Sequence, residues 1–255
     1  MIDVLPVYIG FDVRERDAWY VCERSLRRHA NIPLYTRSLN LVRLQQIGLY
    51  WRAYVQEGRQ KIDAIDGLPF STDFSFSRFL VPALQNYTGW ALFVDCDFLF
   101  LGDIGEVADL ADDKYAVMVC KQDHRPISNI KMDDQAQTVY RRKNWSSFML
   151  LNCGHPANKA LTVDAVNTQP GRWLHQFAWL KDEEIGELPP QWNFIAGTTQ
   201  GEPKAVHYTN GGPWFGAAYD DCAYGAEWTR EWRLWRHDCD ADKPYNLATP
   251  RELIA

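Results

Sequence analysis

The sequence predicts a single α/β domain whose central sheet is mostly parallel and flanked by helices. The chain has 255 residues, of which 46% are hydrophobic, and this length and composition suit one domain with a full core. Residues 4–39 run as strand, turn, helix and strand, which is the order of a parallel βαβ unit. No linker, internal repeat or low-complexity tract divides the chain.

The opening unit predicts the first two strands and the helix between them. Residues 4–9 are apolar enough for a buried strand, and Gly10 opens a polar turn. A helix is expected from this turn to about Arg28, and a second strand over residues 33–39. We expect the two strands to lie in parallel.

The middle of the chain predicts one more helix and three buried strands. Residues 72–87 are predicted to be helical because their apolar side chains recur at helical spacing, namely Phe76, Phe79, Leu80 and Leu84. The strands are expected at residues 92–94, 115–120 and 147–152. Residues 121–144 are polar, partly basic and long for a loop, so they form either a lid or acceptor-binding segment or a surface loop.

Two carboxylates follow the apolar run at residues 92–94. Asp95 and Asp97 would point to one side of an extended strand, while Cys96 would face the other. Two adjacent buried anions are costly unless a cation or a proton compensates them. The spacing therefore predicts a site for a hard divalent metal, Mn²⁺ or Mg²⁺. The alternative is a pair of solvated acids in a loop.

Composition excludes several classes of protein. A net charge of -6 and a pI near 5.5 argue against a nucleic-acid binder, which needs Lys and Arg to neutralise phosphates. The N-terminus has no basic leader and no apolar run is long enough to span a membrane, so we predict a soluble, cytoplasmic protein. Six cysteines without a CxxC pair or zinc spacing fit reduced thiols.

A second short apolar strand ends at His207 and leads into a turn rich in Gly and Pro. Backbone amides in such a turn, here at Gly211 and Gly212, can approach an anionic ligand closely. His207 would complete a set of metal ligands with Asp95 and Asp97, and imidazole beside carboxylates favours Mn²⁺ over Mg²⁺. The alternative for His207 alone is an ordinary core or surface residue.

The order and spacing of these two segments resemble glycosyltransferase family 8, which includes glycogenin and the bacterial lipooligosaccharide galactosyltransferases. Residues 93–97 match the DxD motif of the family, and residues 207–214 are similar to its HxxGxxKPW motif. The resemblance covers most of residues 4–215 and implies a GT-A fold, which is Rossmann-like. The Lys of the second motif, which helps to hold the donor diphosphate in the family, is missing here.

Three further segments extend the resemblance. Residues 77–84 are similar to a helix that carries a donor-contacting arginine, which maps to Arg78. Residues 146–152 are similar to the NAGVLLIN strand, with Trp145 at the usual Asn position. His175-Gln176 and residues 188–194 are similar to the Asp-Gln, Leu-Pro and Asn-Phe pattern, with His175 in the place of the Asp.

The resemblance implies a metal-dependent retaining glycosyltransferase. It would move a sugar from a nucleoside diphosphate sugar, with a UDP-sugar expected, to an unidentified acceptor such as a glycan or a lipid-linked saccharide. Gln176 is our candidate for the group that steadies charge at the anomeric carbon. A covalent route would need a carboxylate, for which Asp182 and Glu183 are the candidates, and an inverting enzyme would need a base, for example within residues 121–144.

Donor contacts are predicted at six positions. We expect Arg78 and Asp95 to contact the donor, and the missing Lys to be replaced by Asn210, by the amides of Gly211 and Gly212, or by a basic residue elsewhere. Asp12, in the turn after the first strand, is a candidate for nucleoside contacts. Its alternative role is to cap the helix that follows.

Two other classes of function remain open. A haloacid-dehalogenase-like phosphatase also places Asp-x-Asp at the end of a strand, but normally the first strand, and here the pair comes after residue 94. A non-catalytic carbohydrate-binding protein would use the eleven tryptophans but would not explain the paired acids.

The C-terminal residues predict a helical extension. We divide the chain into a transferase domain, residues 1–225, and a Trp-rich extension, residues 226–255, packed on the same domain. A helix there places Trp228, Trp232 and Trp235 on one stripe. This stripe either packs onto the domain or makes a weak peripheral contact with an anionic membrane.

Overall fold

A six-stranded sheet forms the centre of the structure. The structure is a computed structural model that describes residues 2–122, 142–216 and 221–240, without the side chains of residues 239 and 240. In chain order the strands are β1 (Leu5–Phe11), β2 (Leu34–Asn40), β3 (Tyr54–Glu57), β4 (Gln60–Asp63), β5 (Pro69–Phe70), β6 (Trp90–Val94), β7 (Phe98–Phe100), β8 (Val117–Val119), β9 (Phe148–Asn152), β10 (Ile185–Glu187) and β11 (Ala205–His207). The α-helices are α1 (Arg16–His29), α2 (Leu41–Gln46), α3 (Val81–Leu84), α4 (Gly105–Ala108), α5 (Val163–Thr168), α6 (Gly171–His175) and α7 (Gly225–Asp240).

The central sheet is mostly parallel, as the sequence predicts. Its strand order is β10-β8-β9-β6-β1-β2. The pairs β1–β2, β1–β6 and β10–β8 are parallel, whereas β9 runs antiparallel to both β6 and β8. The two strands at the centre of the sheet, β6 and β9, are apolar except for Asn152 and lie almost wholly out of solvent, as is typical of a sheet covered on both faces.

The opening βαβ unit is confirmed. β1 pairs with β2 in parallel from Leu5 opposite Leu34 to Phe11 opposite Asn40. Helix α1 joins them and buries one face against the sheet, with Ala18, Val21 and Cys22 inaccessible to solvent. This unit brings the turn at residues 12–15 to the same edge of the sheet as the end of β6.

The prediction of one helix over residues 72–87 is wrong in extent. Residues 77–80 form a 3-10 turn, and α3 adds only Val81–Leu84. Pro82 lies in the first turn of α3, where a backbone N–H has no acceptor within the helix, so the missing N–H of proline breaks no hydrogen bond. Residues 72–76 form a loop instead of the predicted helix. The apolar stripe is still buried at Phe76, Phe79 and Leu80.

Two small antiparallel sheets were not predicted. The strands β3, β4 and β5 form a meander at the surface, and β7 pairs with β11 beside the central sheet. The second pair matters for function because it joins segments that are far apart in sequence. Residues 123–141, most of the predicted insertion, lie outside the described residues.

Helix α7 packs against α1. Trp228 and Trp235 are each 4% exposed, and the ring of Trp235 stacks on Tyr20 at 4.3 Å. Glu231 is buried between the two helices, where Arg28 donates to it at 2.9 Å. Residues 241–255 of the predicted extension lie outside the described part of the chain. None of the helices in the described ranges has the length and apolar character needed to cross a membrane.

Candidate metal centre and adjoining cavity

Three candidate metal ligands meet at the ends of three strands. Each of Asp95, Asp97 and His207 offers a ligand atom, and these atoms all lie within 4.8 Å of one another. The antiparallel register places His207 opposite Phe98, the residue after Asp97. The Tyr208 N–H also donates to the Asp97 carbonyl at 3.0 Å, which fixes the approach of the two segments.

Asp95 and Asp97 converge by a different route from the one predicted. The strand β6 ends at Val94, and residues 95–97 form a turn rather than a continued strand. The Asp95 N–H donates to the Ser147 carbonyl at 2.9 Å, so the turn is held to the start of β9. The two carboxylates therefore share a site because the chain turns there, not because strand residues alternate.

The ring of His207 is held in one orientation and one tautomer. It stacks on Phe98 with ring centres 4.4 Å apart, and its Nδ1 lies 2.8 Å from Oδ1 of Asn193. The Asn193 amide nitrogen donates to the Asn144 carbonyl and to Ser147 Oγ, so only its oxygen can face His207. From this network we infer that Nδ1 of His207 carries the proton.

This tautomer leaves the other ring nitrogen ready to bind a cation. His207 Nε2 points toward Asp97, with 3.4 Å between Nε2 and Oδ1. A neutral imidazole whose Nδ1–H is held by an oxygen is the usual form of a metal-binding histidine. Two carboxylates and one such nitrogen within one small volume fit a divalent metal ion.

Arg78 is bound to the first of the two acids. Its guanidinium lies 2.7 Å from Asp95 Oδ1 and donates to the Ser146 carbonyl at 2.8 Å. The rings of Phe74 and Phe93 contact it at 5.3 and 5.0 Å. Arg78 therefore offsets part of the negative charge that the acid pair concentrates.

A cleft of about 1050 Å³, counting its open mouth, adjoins this centre. The cleft is walled by the loop at 66–78, the turn at 95–97, residues 143–147 and the start of α6. The polar and charged side chains that line it include Asp66, Arg78, Asp95, Asp97, Lys143, Ser146, Arg172 and His175.

The structure brings some predicted residues to this cleft and not others. Arg78, Asp95 and Asp97 line it. Gln176 is not among its lining residues, whereas the preceding His175 is, with Nδ1 at 2.9 Å from Ser146 Oγ. The role of Gln176 at the anomeric carbon stays a prediction.

The turn at residues 210–212 lies after β11 and does not line the cleft. Asn210 is exposed, while Gly211 and Gly212 are buried. A Cβ on Gly212 would lie 2.3 Å from the ring of Trp214, so packing already requires a glycine there. Contacts of this turn with phosphate stay predictions.

Asp12 caps the 3-10 turn Val13–Glu15 that precedes α1, rather than α1 itself. Its carboxylate accepts from Arg14 N at 3.0 Å, from the Arg14 guanidinium at 2.7 Å and from the Asp73 N–H at 3.1 Å. Burial acts to raise the pKa of this carboxyl, but the hydrogen bonds and charge of Arg14 outweigh it and hold the pKa below its usual range. A nucleoside contact by Asp12 stays a prediction.

Sequence reasoning missed three residues of this centre. Asn193 orients His207, Ser146 binds both Arg78 and His175, and Lys143 lines the cleft while only 6% exposed. Asn193 stands in a segment that the resemblance includes, yet its partner could not be read from the sequence. Lys143 stands at the end of the predicted insertion, where nothing in the pattern sets it apart.

Comparisons with known proteins agree with this architecture. No family model matches the chain. The bifunctional glycosyltransferase WbbM shares a TM-score of 0.56 at 13% identity, over 100% of this chain and 52% of WbbM. The galactosyltransferase LgtC, solved with donor and acceptor sugar analogues, shares a TM-score of 0.51 at 13% identity, over 91% of this chain and 99% of LgtC. The chain therefore has the fold of GT-A glycosyltransferases, although it spans only about half of WbbM.

A much nearer relative is known by sequence. Protein CDI of Arabidopsis thaliana is 49% identical to this chain over 234 residues, which are 88% of this chain and 85% of that protein. Identity at this level over nearly the whole of both chains shows common descent. The chain belongs to the same family as Protein CDI of Arabidopsis thaliana.

Proposed function

We propose that this protein is a metal-dependent retaining glycosyltransferase of family 8, which transfers a sugar from a nucleoside diphosphate sugar to a carbohydrate or glycolipid acceptor. The observation that carries the proposal is the joining of the Asp95, Asp97 and His207 centre to the cleft, within a GT-A fold. By the same resemblance we expect a UDP-sugar as donor and Mn²⁺ as the ion.

The reaction requires the donor, whose diphosphate diester carries two negative charges, to lose a nucleoside diphosphate that carries three as it departs. The acceptor oxygen forms a bond to the anomeric carbon, and the bond from that carbon to the β-phosphate oxygen breaks with its electron pair on the oxygen. A bound divalent ion supplies positive charge to the departing diphosphate. The acceptor hydroxyl gives up its proton, and attack from the face that the diphosphate leaves would pass it to a phosphate oxygen.

The described carboxylates favour this same-face route over a covalent intermediate. The acids lining the cleft are Asp66, Asp95 and Asp97 among the described residues. Asp66 accepts from the Leu68 N–H at 3.0 Å and from the Gly171 N–H at 2.8 Å, so both its oxygens are engaged. Asp182, a candidate nucleophile, is bound to Arg142 and largely exposed.

The phosphatase alternative fits this geometry less well. Its nucleophile would be Asp95, which here is paired with Arg78 at 2.7 Å. Asp95 also follows β6, which is the third strand of the central sheet in chain order, after β1 and β2. The fold is also that of glycosyltransferases. A binding protein without catalysis remains an outcome that the experiment below can detect.

The decisive experiment measures release of nucleoside diphosphate from a panel of nucleotide sugars with and without Mn²⁺. We expect release from one of the UDP-sugars that requires the ion and is abolished by Asp97→Asn. Asp109→Asn, which removes an exposed acid that does not line the cleft, is the control and should keep full activity. Cleavage of a simple phosphate ester instead would indicate a phosphatase, and binding without turnover would indicate a lectin-like protein.

A further inference from the structure

The two-stranded sheet of β7 and β11 has different neighbours on its two faces. Phe98 and Phe100 of β7 pack into the main core, whereas Leu99 and Val206 belong to a second apolar cluster. His207 stacks on Phe98, so its ring lies on the core side of the sheet. Successive residues of a strand point to opposite faces, so the second cluster lies behind the strand that carries this candidate metal ligand.

Helix α7 covers the back of this small sheet. The buried members of the second cluster are Val21, Leu99, Phe194, Val206, Tyr208 and Trp228. Trp228 of α7 is 4% exposed, and its ring centre lies 5.7 Å from that of Trp214. A sheet of two strands is marginal by itself and takes its stability from the groups packed on its faces. The docking of α7 therefore bears on the geometry of the strand that carries His207.

Tyr208, the residue after His207, contacts both the metal centre and the start of α7. Its N–H donates to the Asp97 carbonyl at 3.0 Å, and its hydroxyl donates to the Tyr224 carbonyl at 3.0 Å. The side chain is 6% exposed, and a buried hydroxyl that loses its acceptor is costly. Tyr208 thus connects the backbone of a candidate ligand to the residue that precedes α7.

Tyr224 turns the chain into α7 through an unfavourable backbone conformation. Its φ angle is 60°, in the left-handed region that costs free energy for residues other than glycine. Its carbonyl accepts from Tyr208 and from the Trp228 N–H at 3.0 Å in the first turn of α7. Such a conformation persists where surrounding contacts impose it. The hydroxyl of Tyr208 is one of these contacts.

Phe194 provides a second connection from Tyr224 to the metal centre. The two rings meet edge to face, with ring centres 6.0 Å apart. The Phe194 carbonyl accepts from the His207 N–H at 2.8 Å, and the preceding Asn193 accepts from the ring of His207. The start of α7 therefore contacts both segments that hold His207, one before β11 and one after it.

We propose that Tyr208 is a positioning residue of the metal centre, through which the docking of α7 and the binding of the ion favour each other. This inference rests on the proposed function, because it concerns the same metal centre. Tyr208 acts through Asp97 and His207 rather than on the ion. Coupling of two binding events is reciprocal, so an ion that binds more tightly when α7 is docked also stabilises the docked helix.

The first test measures Mn²⁺ affinity by calorimetry in Tyr208→Phe, which keeps the ring and removes the hydroxyl. We expect the affinity to fall about three- to tenfold, the scale of one net hydrogen bond. Tyr87→Phe is the matched control, because the Tyr87 hydroxyl also donates to a backbone carbonyl, that of Leu161 at 3.2 Å. It should lose similar stability in urea and keep the Mn²⁺ affinity of the wild type. Equal affinity in the two variants would overturn the role of Tyr208.

The second test uses the wild-type protein and measures amide hydrogen exchange with and without Mn²⁺. We expect the ion to slow exchange in α7 at least threefold more than in α5, and Asp97→Asn to remove this difference. Equal slowing in the two helices would mean that the ion stabilises the molecule without favouring the docked α7, and would overturn the coupling. This test still decides the matter should Tyr208→Phe fail to fold.

The outcomes separate this inference from the proposed function. If the wild-type protein does not bind Mn²⁺, the proposed metal centre is wrong and the inference falls with it. If the wild type binds Mn²⁺ and Tyr208→Phe binds it equally well, only the role of Tyr208 is wrong. Selective loss of affinity in Tyr208→Phe, together with selective protection of α7, would establish the coupling.

Discussion

At the residue scale, the carboxylates of Asp95 and Asp97 have different neighbours before any metal binds. Asp95 is paired with Arg78, whose side chain is only 6% exposed, while Asp97 Oδ1 lies 3.4 Å from Nε2 of His207. Removing the charge of Asp95 leaves a buried guanidinium without its carboxylate. Removing the charge of Asp97 relieves repulsion between two acids.

We therefore expect opposite effects of two conservative substitutions on metal-free stability. Asp95→Asn should lower the free energy of unfolding by on the order of 3 kcal/mol, because one partner of a buried ion pair is lost. Asp97→Asn should leave it unchanged or higher. Urea denaturation with a chelator present measures both, and a larger loss in Asp97→Asn than in Asp95→Asn would contradict this account of the pair.

Asn193 offers a second test at the residue scale. Asn193→Ala removes the acceptor for His207 Nδ1–H and frees the ring to rotate or change tautomer. We expect Mn²⁺ affinity to fall about ten- to a hundred-fold, as is typical when the partner of a metal-binding histidine is lost. Calorimetric titration with Mn²⁺ measures this, with the exposed Asn31→Ala as control; equal affinity in the two variants would mean that the hydrogen bond does not prepare the ligand.

At the scale of elements, short segments are held by single side chains rather than by long regular structure. Asp12 joins the turn after β1 to the loop at 71–75, through bonds to Arg14 and to the Asp73 N–H. Gly212 lets Trp214 close over the turn after β11, where Trp214 also packs on Trp228 of α7. The Asp12 contact supports the loop at 71–75, which forms part of the wall of the cleft.

The Asp12 contacts predict a pH dependence of stability. Because the folded pKa of Asp12 lies below its ordinary value of about 3.8, the folded state binds this proton less readily than the unfolded state. The stabilisation that the Asp12 contacts provide is present at pH values above the ordinary pKa of the carboxyl. It is lost as the pH falls through the pKa of Asp12 in the folded state. We expect Asp12→Asn to cost about 1–2 kcal/mol at pH 6 and less at pH 3, measured by urea denaturation at each pH. A difference that grows toward acid pH would contradict the assignment.

The Gly212 contact predicts a steric effect. Gly212→Ala should lower the free energy of unfolding by about 1–3 kcal/mol, because its Cβ would overlap the Trp214 ring. The φ angle of Gly212 is −148°, so backbone strain plays no part. Gly154→Ala, whose Cβ would meet only ordinary contacts beyond 3.6 Å, is the matched control. Equal stability of the two variants would show that Trp214 moves aside at no cost.

At the scale of the whole molecule, α7 closes the structure over α1. Trp228 and Trp235 are buried, Trp232 donates from Nε1 to Asp17 at 2.9 Å, and Glu231 binds Arg28 between the helices. The tryptophan stripe is thus engaged within the fold. Of its two predicted uses, packing is the one that these contacts serve.

We accordingly expect the full chain not to bind anionic vesicles in a salt-sensitive way. Insertion of Trp228 or Trp235 into a membrane would require α7 to leave α1 and expose the buried Glu231. Co-sedimentation with vesicles rich in phosphatidylserine, at low and high salt, measures this. Binding that disappears at high salt would instead indicate that the exposed arginines of α7 recruit the protein to a membrane.

The sequence by itself determined the local pieces of this protein. Hydrophobic patterning predicted the opening βαβ unit, the strands around residues 92–94 and 147–152, and the parallel character of the sheet, because each depends on side chains close together in sequence. The Asp-x-Asp pair and His207 were recognised as candidate ligands from residue type and spacing. Periodicity also predicted a helix at 72–87 that Pro82 and the preceding loop shorten.

Only the tertiary structure decided how these pieces form one centre. The antiparallel register of β7 and β11 places His207 beside Asp97, and no local pattern encodes a register between strands so far apart. The tautomer of His207 depends on Asn193, which depends in turn on Asn144 and Ser147. Lys143 is set apart by burial and by the conformation of its neighbours, which are properties of packing rather than of sequence.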